Sequence, residues 1–225
     1  MRFSCQKNSL SILLLTFVGF ILGAVEKLGY FDLLNLRVSQ GLQAIQPQWF
    51  IEVSKFVSSL ELVIIFLAPA LLVVFLRKRQ HWIVRIILLS SLSWVVVTIF
   101  KSVFSIARPF GPEVETIYVY PSLSVLFSEV FNLNLEATAN SSYPSGHVFN
   151  YVSFWGVVYY LTPIITSSYF LQKVIKINCV LLILLVGVAR ISLGAHWFID
   201  VIGGYLLGFA WLILAIYSTF QDKSD

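Results

Sequence analysis

The chain has 225 residues, of which 58% are apolar and 12% charged, and its mean hydropathy is +0.87. Soluble domains are about half apolar and about a quarter charged, so a water-facing globule of this size could not hide that much apolar surface. The net charge of +4 points to lipid and away from nucleic acid, because the basic residues flank apolar runs. Cys5 in the N-terminal tail and Cys179 inside an apolar run form no disulfide framework.

A bilayer crossing needs about 20 mostly apolar residues. Taken along the chain, six runs meet or approach that length: Leu10–Val25, Leu60–Leu76, Trp82–Phe100, His147–Leu161, Val174–Ala189 and Trp197–Phe220. The expected fold class is therefore all-α: a polytopic membrane helical bundle of about six transmembrane helices with short extracytoplasmic amphipathic helices. One domain is expected to span residues 1–225. The first run follows Arg2 and Lys7 and reaches Gly23-Ala24, so it also has the shape of a signal peptide. Its removal would leave the orientation of the later spans unchanged. The fourth run is short and opens on polar residues, which makes it the weakest by periodicity.

Lys and Arg in the loops set the expected sidedness. With the N-terminus inside, Arg2, Lys7, Arg77, Lys78, Arg79, Arg85, Lys173, Lys176 and Lys223 are cytoplasmic. The Arg77-Lys78-Arg79 loop decides the orientation, and both termini are expected in the cytoplasm. Lys27, Arg37, Lys55, Lys101, Arg108 and Arg190 then lie outside, where the bias disfavours cations. In the outer segment Glu26–Ser59, the residues Trp49, Phe50 and Phe56 suit an interfacial helix after Pro47. In Pro109–Pro144, the spacing of Leu123, Leu126, Phe127, Val130 and Phe131 suits an amphipathic turn or two. Asn140-Ser141-Ser142 matches a glycosylation sequon, a pattern common by chance.

The polar residues at the outer ends of the spans converge. Lys101 and Arg108-Pro109 end the third span, Pro144-Ser145-Gly146-His147 opens the fourth, and Arg190, His196 and Asp200 sit between the fifth and sixth. If the ligand is a phosphate, each has a task. Arg forks bind phosphate oxygens in pairs and Lys adds a point charge. Ser145 and Gly146 open a helix whose free N–H groups and dipole attract an anion, and glycine allows close backbone approach. His196 and Asp200, four apart, would share one helix face, so the carboxylate could hold one imidazole nitrogen while the other attacks phosphorus. His147 could donate a proton to the leaving oxygen. Singly, these residues also read as snorkelling, anchoring or capping groups, but Asp200 inside an apolar span is costly unless functional. His81, beside the basic loop, is given no role.

These residues resemble the type 2 phosphatidic acid phosphatase family, which shares its core with vanadium-dependent haloperoxidases. The family blocks are Lys-x6-Arg-Pro, Pro-Ser-Gly-His and Ser-Arg-x5-His-x3-Asp. Here they read Lys101-x6-Arg108-Pro109, Pro144-Ser145-Gly146-His147 and Arg190-x5-His196-x3-Asp200, across a signature region of 101–200. Ala189 stands where the third block has Ser, so no phosphate contact carries over there. The resemblance implies a helical bundle and a mechanism without metal or other cofactor. In it Lys101, Arg108, Arg190, Ser145 and Gly146 clamp the phosphate, His196 attacks, Asp200 orients it and His147 protonates the leaving group.

The implied activity is hydrolysis of a lipid phosphomonoester or pyrophosphate through a phosphohistidine at the extracytoplasmic face. The candidate substrates are phosphatidylglycerol phosphate, phosphatidic acid and undecaprenyl pyrophosphate. The partners are thus the membrane and a phospholipid or polyprenyl phosphate, with no nucleic acid. Two alternatives are phosphotransfer to another acceptor by the same phosphohistidine, and a non-catalytic lipid transporter on the same fold. Haloperoxidase chemistry does not suit a membrane-embedded chain. Specificity is expected to lie in Pro109–Tyr143 and Glu26–Ser59.

Overall fold

The computed structural model describes residues 5–109, 112–117 and 141–219. Among them run α1 (Cys5–Lys27), α2 (Asp32–Ile45), α3 (Gln48–Ser59), α4 (Glu61–Arg77), α5 (His81–Ser91), α6 (Ser93–Phe104), α7 (Gly146–Ile165), α8 (Tyr169–Ser192) and α9 (Phe198–Tyr217). Six helical stretches are long and apolar enough to cross a membrane: Ser9–Lys27, Gln48–Arg77, His81–Phe104, Gly146–Ile165, Tyr169–Ser192 and Phe198–Tyr217. The chain is an all-α, multi-pass membrane protein. The expected amphipathic turn at Leu123–Phe131 and the sequon's Asn140 lie outside the described residues.

The second span is longer than its apolar run. It starts at Gln48 and not at Leu60, because Leu60 keeps right-handed helical angles (φ −65°, ψ −9°) and joins α3 to α4 through a bend. Along α3 the small residues Ser54 and Ser58 are buried together with Val57, and the helix packs on α8, while Trp49 and Phe56 face outward. The aromatic stretch of Trp49, Phe50 and Phe56 is thus helical, as expected, and runs on into the apolar helix α4. The third span bends likewise at Leu92 (φ −78°, ψ −2°), which separates α5 from α6.

The fourth run, weakest in the sequence, is the centre of the bundle. α7 packs on α4, α5, α6, α8 and α9, and nearly every side chain from Gly146 to Thr162 is buried. A helix surrounded by protein can hold His147 and Asn150 because a neighbouring helix satisfies them, Glu61 of α4 pairing with both. α9 crosses α7 closely. A Cβ at Gly208 would stand 3.2 Å from the Phe149 Cα, and one at Gly204 would stand 2.9 Å from the Ser145 carbonyl oxygen. Small residues permit this approach, as is general for packed membrane helices. α1 lies along the other side of α9, where the Tyr143 hydroxyl donates to the Gly19 carbonyl.

Candidate active site

α1, α6 and α8 end where α4, α7 and α9 begin, so the polar residues of six helix ends share one end of the bundle. Two short connections bring them into register. α6 stops at Ser105, a residue with φ +49°. The strand-like stretch that follows bridges Ala107 to Ser141, and the Ser142 N–H donates to the Ile106 carbonyl at 2.6 Å. That pairing sets Arg108 beside the Pro144-Ser145-Gly146-His147 turn.

The second connection explains the five-residue gap between Arg190 and His196. The amides of Ala195 and His196 both donate to the Arg190 carbonyl, at 3.0 and 3.2 Å. The chain can fold back this way because Gly194 takes φ +65°, and a Cβ there would meet the Glu115 carbonyl oxygen at 2.2 Å. Gln43 of α2 holds this turn from outside, donating to the carbonyls of Glu115 at 2.7 Å and Ser192 at 3.2 Å.

His196 and Asp200 do meet, but not on one helix face. His196 precedes α9 by two residues, and the pairing arises from the way that helix is capped. The Asp200 carboxylate reaches back to the Trp197 N–H at 2.7 Å, as an acidic third residue commonly does. The same oxygen, Oδ2, lies 3.6 Å from His196 Nδ1 and accepts the Ser142 hydroxyl. Ser142 Oγ is itself 3.5 Å from Nδ1, so Nδ1 faces a polar cluster and Nε2 is left for a ligand. Asn35 of α2 secures another amide of this first turn, accepting the Ile199 N–H at 3.1 Å.

The three cations are buried around this pair. Lys101 Nζ donates to the Ser141 carbonyl at 2.8 Å, and Arg108 Nη1 donates to the Ala195 carbonyl at 3.0 Å. Arg190 is 1% exposed, and its Nε and Nη1 have no hydrogen-bond partner. The Ser145 hydroxyl is likewise buried and unpartnered. A buried guanidinium without partners is costly, and an anion bound there would remove that cost. Burial, and then the charges of Arg108, Arg190, Lys101 and His147, hold the His196 imidazole well below its usual range. This favours its neutral form, the form in which an imidazole nitrogen can attack.

One sequence expectation changes here. The Ser145 N–H is not free, since it donates to the Asp200 backbone carbonyl at 3.0 Å; the first-turn amides from Gly146 onward are the ones that face outward along the axis. Gly146 is not required by packing: a Cβ would meet Val97 Cγ1 at 3.4 Å, an ordinary contact. His147 has a buried partner of its own, its Nε2 lying 3.0 Å from Glu61 Oε2.

Sequence reading missed Glu61, Ser142 and Asn150. Glu61 could have been flagged as a carboxylate at the head of an apolar span, but it also looks like an ordinary first-turn acid. Ala189 is buried beside Arg190 without a hydroxyl, and exposed His81 starts α5 at the opposite end of the bundle. Among the described residues, no three His, Cys, Asp or Glu cluster as a metal site would need.

The family model of the PAP2 superfamily matches residues 82–224. The chain belongs to the PAP2 superfamily. Among curated proteins it is similar to phosphatidylglycerophosphatase B of Bacillus subtilis, 32% identical over 86 residues. That alignment covers 36% of this chain and 40% of the relative, so the chain spans about two fifths of the relative's length. Among solved structures, it resembles a transmembrane PAP2-type phosphatidylglycerolphosphate phosphatase from Bacillus subtilis. The TM-score is 0.70 and the identity 22%, with 96% of this chain and 98% of the other covered. This likeness gives the PAP2 fold along nearly the whole chain.

Proposed function

We propose that this PAP2 protein is a metal-independent lipid phosphatase at the extracytoplasmic face, with phosphatidylglycerol phosphate as the first substrate to test. The reading is carried by the Arg190 guanidinium, whose Nε and Nη1 lack partners, set with Lys101, Arg108 and the Ser145 hydroxyl beside a His196 held toward its neutral form. Fork-shaped donors suit the oxygens of a phosphate, and the first-turn amides of α7 add the positive end of a helix.

In this reading His196 Nε2 attacks phosphorus while Asp200 and Ser142 hold Nδ1. The bond from phosphorus to the lipid oxygen breaks, and that oxygen takes a proton from His147. Water then attacks the phosphohistidine, returns a proton to His147 and releases inorganic phosphate. Arg190, Lys101 and Arg108 stabilise charge on the phosphoryl oxygens in both steps. Support for the lipid comes from the Bacillus relatives and from a site lying at the end of a membrane bundle. Support for the face comes from the Arg77-Lys78-Arg79 loop at the opposite end.

Purified protein in detergent should release phosphate from phosphatidylglycerol phosphate faster than from phosphatidic acid or undecaprenyl pyrophosphate, with His196→Ala as the blank. Equal release by the His196→Ala protein would overturn the reading. A phosphorylated acceptor in place of free phosphate would turn it into a phosphotransferase.

A further inference from the structure

Behind His147, away from the phosphate site, three helices contribute one buried chain of polar groups. Glu61, the first residue of α4, is 5% exposed, and both of its carboxylate oxygens are engaged. Oε2 lies 3.0 Å from His147 Nε2, and Oε1 accepts the Asn150 amide at 2.7 Å. Asn150 stands three residues after His147 on α7, so both project from one face. Its amide oxygen in turn accepts the Ser93 hydroxyl at 2.8 Å, from the start of α6.

This arrangement fixes more than position. A carboxylate can only accept, so it needs the amide nitrogen of Asn150 and a proton on His147 Nε2. The other ring nitrogen, Nδ1, is thereby the one available to the substrate. To act as an acid, His147 must carry a second proton there, close to the Arg190 and Arg108 charges and near His196. The imidazolium needs a counter-charge in that company, and Glu61 is the carboxylate in contact with it. Lys101, also buried at this end of the bundle, adds to the positive field around the pair.

The geometry points to Glu61 as the positioning residue for the general acid: it orients His147, holds its Nε2 proton and balances its charge while Nδ1–H protonates the leaving lipid oxygen. The inference rests on the phosphohistidine reading above and deepens it. Proton balance is complete within that cycle. The Nδ1 proton leaves with the lipid alcohol and returns from the water that hydrolyses the phosphohistidine, while Glu61 stays a carboxylate throughout.

A positioning role of this kind predicts a dependence on the leaving group. An alkoxide needs a proton to depart, whereas a nitrophenolate does not. Turnover should be compared on a lipid alkyl phosphate and on the same lipid chain linked through a nitrophenol. Glu61→Gln should lower kcat on the alkyl phosphate by about 100-fold, and on the nitrophenyl ester by less than about tenfold. His147→Asn, run in parallel, should show the same split, while His196→Ala should lose both activities.

An equal loss on the two substrates, or no loss on either, overturns the role of Glu61. If His147→Asn also fails to split them, the assignment of His147 as the acid falls with it. If His147→Asn splits them and Glu61→Gln does not, only the Glu61 proposal fails. Should Glu61→Gln not fold, Asn150→Ala decides the matter, because it leaves the carboxylate present but unheld. Its loss should be smaller and again confined to the alkyl phosphate, and an even loss overturns the proposal.

Discussion

At the scale of single residues, the site is an assembly of buried cations with one unsatisfied member. Arg190 offers Nε and Nη1 to nothing in the protein, so its fork is expected to be completed by substrate. Arg190→Lys keeps the charge and loses the fork, and should lower kcat/KM about 100-fold; steady-state kinetics on the lipid checks this, and near-normal activity would count against bidentate binding. His196 makes a second prediction. Burial and its four charged neighbours lower its proton affinity, so the neutral form persists as pH falls below the ordinary imidazole value of about 6.5. Protonation, when it comes, removes the lone pair that the proposed attack needs. NMR of isotope-labelled histidine in the detergent-solubilised protein should therefore find His196 neutral at about pH 6, a condition under which an unperturbed imidazole would be mostly charged.

At the scale of elements, the glycines divide by purpose. A Cβ at Gly204 would press on the Ser145 carbonyl oxygen and on Val148, so Gly204→Ala should force α9 away from α7 and cost about 1–3 kcal/mol of stability, read as a fall in melting temperature. Gly146 has room for a methyl group in the protein, with Val97 and Lys101 as its nearest neighbours. Gly146→Ala should therefore melt normally yet lose about 100-fold in kcat/KM if phosphate must approach that backbone. The same contrast shows what could be read from sequence. Lys101, Arg108, His147, Arg190, His196 and Asp200 were legible because charge at the ends of apolar spans is expensive and their spacing matches a family signature. The contribution of α3 was hidden because Ser54 and Ser58, polar in the sequence, are buried against α8. Glu61 was hidden for a related reason. Its value depends on a histidine 86 positions away, brought beside it only by packing of α4 on α7.

At the scale of the whole molecule, the expected orientation can be checked on intact cells with a membrane-impermeant thiol reagent. In a background lacking Cys5 and Cys179, Glu113→Cys at the active-site end should label and Lys78→Cys at the opposite end should not; the reverse pattern would place the site in the cytoplasm. The unpartnered Arg190 also bears on the energetics of the entire fold. A buried guanidinium whose Nε and Nη1 find no partner in the protein lowers its stability, and any oxyanion that pairs with it is linked to folding, by about 2.7 kcal/mol at a hundredfold excess over its dissociation constant. Arg190→Met, similar in bulk and apolar, should be inactive yet melt at a higher temperature than the native protein, and inorganic phosphate should raise the melting temperature of the native protein alone. The product of the proposed reaction is itself such an oxyanion. If Arg190 binds the substrate as proposed, it is expected to make the enzyme sensitive to product inhibition, coupling the proposed lipid dephosphorylation to the phosphate concentration around it.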